Sequence, residues 1–177
     1  MNDFIDPRVV LRELVINEGD FVADLGSGTG AFARVLSKRV GPRGRVYAVE
    51  VQREILQRMQ RDFTAENISN VDGIWGNIED IGGTKIQDKK VNIVVMSNVL
   101  FQVPDKISMI REITRILVSG GTLFVVDWSD SFSGIGPKQS EVVTEEKAKQ
   151  LFSSSGFEIQ KTFKAGSHHY GLIFKLK

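Results

Sequence analysis

Phe21-Val22-Ala23-Asp24-Leu25-Gly26-Ser27-Gly28-Thr29-Gly30-Ala31 is the stretch whose reading decides the fold. Phe21, Val22 and Leu25 surround a single acid and read as a short buried strand. After Gly30, Phe32, Val35, Leu36 and Val40 recur at helical spacing. The three glycines therefore sit at a strand-to-helix turn. Glycine suits such a turn because it tolerates positive φ and lets backbone amides come close to a ligand. The helix start behind it adds free N–H groups and a partial positive charge.

Glu50 lies twenty residues beyond Gly30, at the end of a second apolar run, Val46-Tyr47-Ala48-Val49. In nucleotide-binding α/β folds an acid at this position grips the ribose hydroxyls. Gly26-Ser27-Gly28-Thr29-Gly30-Ala31 also satisfies the dinucleotide pattern G-x-G-x-x-A. A pyrophosphate, however, has little use for a carboxylate two residues before the first glycine. Asp24 followed by G-x-G-x-G resembles motif I of the class I S-adenosylmethionine-dependent methyltransferases.

That resemblance runs from Phe21 to Lys177 and implies the rest of the layout. It implies an α/β, Rossmann-like fold: a seven-stranded, mostly parallel sheet of order 3-2-1-4-5-7-6, an antiparallel C-terminal hairpin and helices on both faces. Two β-rich runs, Phe157 to Lys164 and Tyr170 to Leu176, have the spacing of that hairpin. A nicotinamide enzyme would need a second mononucleotide half. The chain reads as one methyltransferase domain over 1–177, with an N-terminal helix over 1–19 and the core over 20–177.

Composition narrows the class. The 177 residues suit one domain, and the net charge of +1 gives no surface for wrapping nucleic acid. No apolar run reaches membrane-spanning length, the N-terminus lacks a signal-peptide core, and a cytoplasmic location is expected. There is no cysteine, which excludes cysteine-nucleophile methylation and thiol-held arsenic or zinc.

Further elements follow in order. Asp6-Pro7 is an N-cap and first helical residue, and the helix is expected to run through Val9, Val10, Leu14 and Val15 to Glu18-Gly19. Phe4 and Ile5 are either a small lid or a hydrophobic staple. Strands are expected at Val71 to Trp75, Val91 to Met96 and Thr122 to Asp127. A helix from Asp105 turns Ile107, Ile110, Ile113 and Leu117 inward, and Ser119-Gly120-Gly121 makes a turn. Thr144 caps a last helix that stops at Gly156.

The resemblance places the cofactor, S-adenosylmethionine, on Asp24, Gly26, Ser27, Gly28 and Gly30 at its amino-acid end. Glu50 and Val51 fall at the ribose, Asn77 and Ile78 at the adenine, and Ser97 and Asn98 where the family carries motif IV. An Asx turn ending a strand is the other reading of Asn77. Ser97-Asn98-Val99-Leu100-Phe101 lacks the Asn/Asp-Pro-Pro-Tyr form of enzymes that methylate nucleobase or glutamine amines, so a small-molecule acceptor is implied. An RNA or protein methyltransferase, or a silent cofactor-binding module working with a partner, are the alternatives.

Trp128, His169 and Tyr170 are the candidate acceptor-binding residues, on the loop after the fifth strand and on the hairpin. His168, His169 and Asp127 are candidates for a catalytic base. Ser97 stands where metal-dependent relatives place a carboxylate, so no metal is expected.

Overall fold

The computed structural model describes residues 5–132 and 134–177. Phe4, one half of the expected lid or staple, lies outside them. The elements run α1 (Pro7–Val10), a 3-10 turn (Leu11–Glu13), β1 (Phe21–Leu25), α2 (Ala31–Val40), β2 (Arg45–Glu50), α3 (Arg53–Ala65), β3 (Val71–Trp75), β4 (Val91–Ser97), α4 (Lys106–Ile116), β5 (Leu117–Trp128), α5 (Glu145–Ser153), β6 (Phe157–Lys164) and β7 (His169–Leu176).

The strands form one sheet in the order β3-β2-β1-β4-β5-β7-β6. β3, β2, β1, β4 and β5 are parallel neighbours, and β7 runs antiparallel to both β5 and β6. This is the expected topology. Parallel strands covered on both faces read as continuous apolar runs, and β4 does so: Val91, Ile93, Val94, Val95 and Met96 are all buried.

Side chains alternate across a strand, so the sheet has two distinct faces. Ala23, Leu25, Val94, Leu123, Val125 and Phe174 join α4 and α5 in one core. Val22, Val46, Ala48, Val95, Phe124 and Ile173 join α1, α2 and α3 in the other. The same alternation puts Asp24, Glu50, Ser97, Trp128 and His169 on the α1–α2–α3 face, all toward the carboxyl ends of the parallel strands. Asp127 and Tyr170 fall on the opposite face.

Four local expectations are corrected. The first helix ends at Val10 and passes through the 3-10 turn to an extended Leu14. Val10, Leu11 and Leu14 are buried, whereas Val9 and Val15 face solvent. Where the helix ends, the Arg39 guanidinium of α2 donates to the Leu11 and Leu14 carbonyls. The later turn into β1 is shaped by Asp20, which accepts the Asn17 amide at 2.8 Å.

In α4, Ile107 is half exposed, because Met109, Ile110, Ile113 and Ile116 are the residues that meet the sheet. Leu117 belongs to β5 and pairs with Val91. The glycine turn is an irregularity inside β5: register is interrupted between Val91 and Ile93, and Gly120 takes φ +70. β7 starts one residue earlier than expected, at His169, which pairs with Trp128.

Candidate active site

The turn after β1 holds its shape by glycine conformation and by bonds to β2. Gly26, Gly28 and Gly30 have φ of +72, +55 and +80. The Gly26 and Ser27 amides donate to the Val49 carbonyl at 2.9 and 3.0 Å. A Cβ on Gly26 would collide with Val99, and one on Gly30 would strike Phe63 and Met59 of α3. A Cβ on Gly28 would meet nothing within 4 Å. The first and third glycines thus serve packing, and the middle one keeps a space open.

Glu50 is buried, and both of its oxygens are engaged. Oε2 accepts the Gly28 amide at 3.0 Å and Oε1 accepts the Gln52 amide at 2.8 Å. The acid that ends β2 therefore shapes the glycine turn as well as the start of α3. Val51 stands exposed just beyond it, and its carbonyl accepts the Trp75 indole N–H at 2.9 Å. Arg53 stacks on Trp75 at 3.8 Å and fixes that corner from outside.

A pocket of about 350 Å³ opens at the carboxyl ends of these strands. Gly26, Gly28, Glu50 and Val51 form one wall. Asn77 and Ile78 form the far wall, and Ser97 and Asn98 close it from β4. Asp24, Ser27 and Gly30 stand behind the wall. Eight of the eleven residues expected at the cofactor are thus brought to one cavity, with the other three in its supporting layer.

Asn77 carries out the Asx turn that was its other reading: Oδ1 accepts the Glu79 amide at 3.1 Å, and Nδ2 donates to Asp80 at 3.1 Å. Asn98 holds a left-handed conformation, φ +57, uncommon away from glycine. Such strain gathers at binding sites.

A buried polar atom without a partner calls for an explanation, such as strain, a water or a ligand. Among the described residues they are Asp24 Oδ2, Ser27 Oγ, Asn98 Oδ1 and both ring nitrogens of His169. Asn98 lines the pocket, and Asp24, near the end of β1, and Ser27, in the glycine turn, stand just behind its wall. Burial pushes the Asp24 carboxyl up to about 7, the Ala33 amide opposing it and the nearby Glu50 charge adding to it. An ammonium group placed beside Asp24 would reverse that penalty. The cavity therefore fits a ligand with a cationic amine at one end and a nucleoside at the other.

Asp127 is only 1% exposed. Its Oδ2 accepts the Leu100 amide and its Oδ1 the Trp128 amide, both at 2.8 Å. Burial pushes its carboxyl up to about 6 against these bonds. It ties β5 to the turn that follows β4 and does not open into the pocket.

Trp128 and His169 stack with ring centroids 4.1 Å apart, and both are buried. Burial pulls the His169 imidazole down to about 4, so the ring is neutral. Tyr170 points to the other face, where its hydroxyl donates to the Val143 carbonyl at 2.9 Å. His168 is half buried, 2.8 Å from Asp130, and stacked on Phe132. None of these four lines the pocket.

Several lining residues were not named as site residues from the sequence. Val99, Gln102 and Val103 follow β4, and Gln52 and Ile55 open α3. Glu112 was also missed. It accepts the Gly82 amide at 2.8 Å, the Thr84 amide at 3.1 Å and both Arg115 Nε and Nη2 at 2.8 Å. Burial works against its charge, but these bonds hold its carboxyl at about 2. It anchors the segment after β3, which begins with Asn77 and Ile78, to α4.

A family model described as a methyltransferase domain matches residues 16–171. The chain belongs to this methyltransferase family. The methyltransferase is 34% identical to human arsenite methyltransferase over 116 residues, covering 62% of this chain and 31% of that protein. It is 31% identical to the ubiquinone/menaquinone biosynthesis C-methyltransferase UbiE of Hydrogenovibrio crunogenus, covering 84% of this chain and 64% of the relative. The chain thus spans about a third of the arsenite enzyme's length and under two thirds of the quinone enzyme's. A crystal structure of a SAM-dependent methyltransferase from Aquifex aeolicus superposes with a TM-score of 0.90 at 24% identity, covering 99% of this chain and 92% of that one. S-adenosylmethionine is the cofactor, and the fold is that of class I. Among the described residues no helix is long and apolar enough to cross a membrane.

Proposed function

We propose that this methyltransferase passes the methyl group of S-adenosylmethionine to a small-molecule acceptor. The observation that carries the reading is the pocket at the strand ends, with the unpaired Asn98 oxygen on its wall, those of Asp24 and Ser27 just behind it, and no Lys or Arg among its described lining residues. A site that handled RNA would be expected to present cationic side chains there.

Asp24 and Ser27 would hold the amino-acid end of the cofactor, and Glu50 its ribose. Val51 would lie beside Glu50 at the ribose, Ile78 would pack on the adenine beside Asn77, and Ser97 and Asn98 would border the reacting end. When bound, S-adenosylmethionine supplies a methyl already activated on a sulfonium, so alignment matters more than proton transfer. The residues around the pocket accordingly bind, orient and exclude water.

The relatives named for arsenite and for quinone biosynthesis support a small acceptor. The chain's lack of cysteine disfavours an arsenic(III) centre held by its own thiolates. Incubation with methyl-labelled S-adenosylmethionine and fractionated cell extract tests the reading. Label in the low-molecular-weight fraction is expected. Label confined to RNA or protein would overturn it, and binding of S-adenosylhomocysteine without label anywhere would favour a silent module.

A further inference from the structure

The buried unpaired polar atoms are not scattered. Asn98 lines the cofactor pocket, Asp24 and Ser27 stand just behind its wall, and the remaining case is His169. Strand alternation sets His169 on the same face as Asp24, Glu50 and Ser97. β4, β5 and β7 are successive neighbours in the sheet, and Ser97 is level with Val126 whereas His169 pairs with Trp128, so His169 lies roughly 12 Å from Ser97, two strand spacings across and two residues along. The unpaired atoms thus trace a line from the glycine turn, past the end of β4, to β7.

We propose that His169 is the hydrogen-bonding anchor of the methyl acceptor, and that the acceptor is an uncharged molecule bearing a hydroxyl. The proposal rests on the methyl-transfer reading above. A neutral imidazole offers one donor and one acceptor nitrogen, and burial keeps this ring neutral. Asn98 Oδ1 can only accept a hydrogen bond. A hydroxyl, which both donates and accepts, satisfies either group. A carboxylate or phosphate would meet no cation in the pocket, where Glu50 and Glu79 are the charged lining residues described.

Trp128 acts through His169. Their rings stack, and a side chain on Gly136 would lie 2.6 Å from the outer side of the indole. The imidazole is therefore enclosed, with the indole tilted against it at 43°. That cover is thin. It is pinned by the half-exposed Asp130–His168 pair and the stacking of His168 on Phe132. Contacts of this kind contribute little stability, so an acceptor can displace them to reach His169.

The test uses protein saturated with S-adenosylhomocysteine and phenol as the probe, with the ring-nitrogen resonances of His169 followed by NMR. Phenol is expected to shift them with saturation in the range of about 1 mM or weaker, and benzoate is expected to leave them unmoved. His169→Phe should weaken phenol binding by at least about tenfold. His169→Gln, which keeps a donor and an acceptor, should hold it within about threefold. Both variants should keep the thermal shift given by S-adenosylhomocysteine; should His169→Phe fail to fold, the glutamine variant and the resonance shifts still decide.

Equal phenol binding by His169→Phe, an unmoved His169 ring in phenol, or an equal response to benzoate would overturn the proposal. A wild-type protein that does not bind S-adenosylhomocysteine would overturn the cofactor assignment beneath it instead.

Discussion

The Gly28 amide donates to Glu50 Oε2 at 3.0 Å, joining the glycine turn to the end of β2. The second oxygen of Glu50 takes the Gln52 amide. A carboxylate in this position both builds the cavity and is the group proposed to take the ribose hydroxyls. Charge-assisted bonds contribute roughly 1.5–3 kcal/mol each. Glu50→Ala should therefore weaken S-adenosylhomocysteine binding by at least about a hundredfold, at 1.4 kcal/mol per decade. Calorimetric titration measures this, and an unchanged affinity in a folded variant would place the ribose elsewhere.

The second prediction concerns pH. Asp24 has a carboxyl near 7 in the fold, against an ordinary value of 3.8. Between those values the folded state holds more protons than the unfolded one, so stability declines as pH rises through that window. Asp24→Asn should remove the decline. At about pH 8 the variant should be at least about 1 kcal/mol more stable, some 2–4 °C in Tm, and near pH 4 the gain should vanish. Binding of an ammonium-bearing cofactor needs the ionised acid. Wild-type affinity should climb from about pH 6 to about pH 8, by up to about tenfold per unit, while Asp24→Asn binds weakly at both. A wild-type affinity that is flat across this range would remove Asp24 from the ammonium.

Glu112 shows the opposite sign. Its carboxyl is held at about 2, below its ordinary 4.5, by Arg115, Thr84 and two backbone amides, although burial opposes it. Its contribution is present above about pH 4.5 and fades as pH falls toward about 2. Removing one partner of a buried pair costs about 3–5 kcal/mol. Glu112→Ala should lower the unfolding free energy obtained from urea melts by an amount of that order, and Glu112→Gln by less. Because the segment it clamps carries Asn77 and Ile78, cofactor affinity should fall as well. An unfolding free energy within about 0.5 kcal/mol of wild type would show that Arg115 finds other partners.

What the sequence revealed depended on how local the interactions are. Asp24, the glycines and Glu50 were legible because a strand–turn–helix unit fixes their spacing, and the C-terminal hairpin was legible from two runs of matching length. The first helix was misjudged because Arg39, a residue of α2, takes up the Leu11 and Leu14 carbonyls where it ends, a long-range bond that no periodicity shows. Ile107 and Leu117 were placed by helical spacing, but the contact face of α4 is turned to Met109 and Ile116.

Glu112 went unseen because its partners Gly82 and Thr84 lie about thirty residues away, and a charged residue on a helix ordinarily faces solvent. Trp128 and His169 were picked out individually. That they stack on each other, and so leave the pocket wall to Val99, Gln102 and Val103, follows from the β5–β7 register, which local patterns do not encode.

The last prediction separates binding from stability within one turn. Gly28 and Gly30 both have positive φ, so alanine at either position carries about 1–2 kcal/mol of backbone strain. Beyond that they differ. A methyl on Gly28 projects into open space beside the pocket, and the fold should tolerate it. The same methyl would occupy volume meant for the cofactor and disturb the amide held by Glu50. Gly28→Ala should therefore lose at least about tenfold in S-adenosylhomocysteine affinity while remaining folded at room temperature. A methyl on Gly30 would strike Phe63 and Met59, in the seam between α2 and α3. Overpacking there adds about 1–3 kcal/mol, so Gly30→Ala should show the larger fall in urea midpoint. Urea melts and calorimetric titrations on the two variants give four numbers. If Gly28→Ala proves the less stable of the pair, or binds the cofactor as well as wild type, the open space at Gly28 is not where the ligand lies.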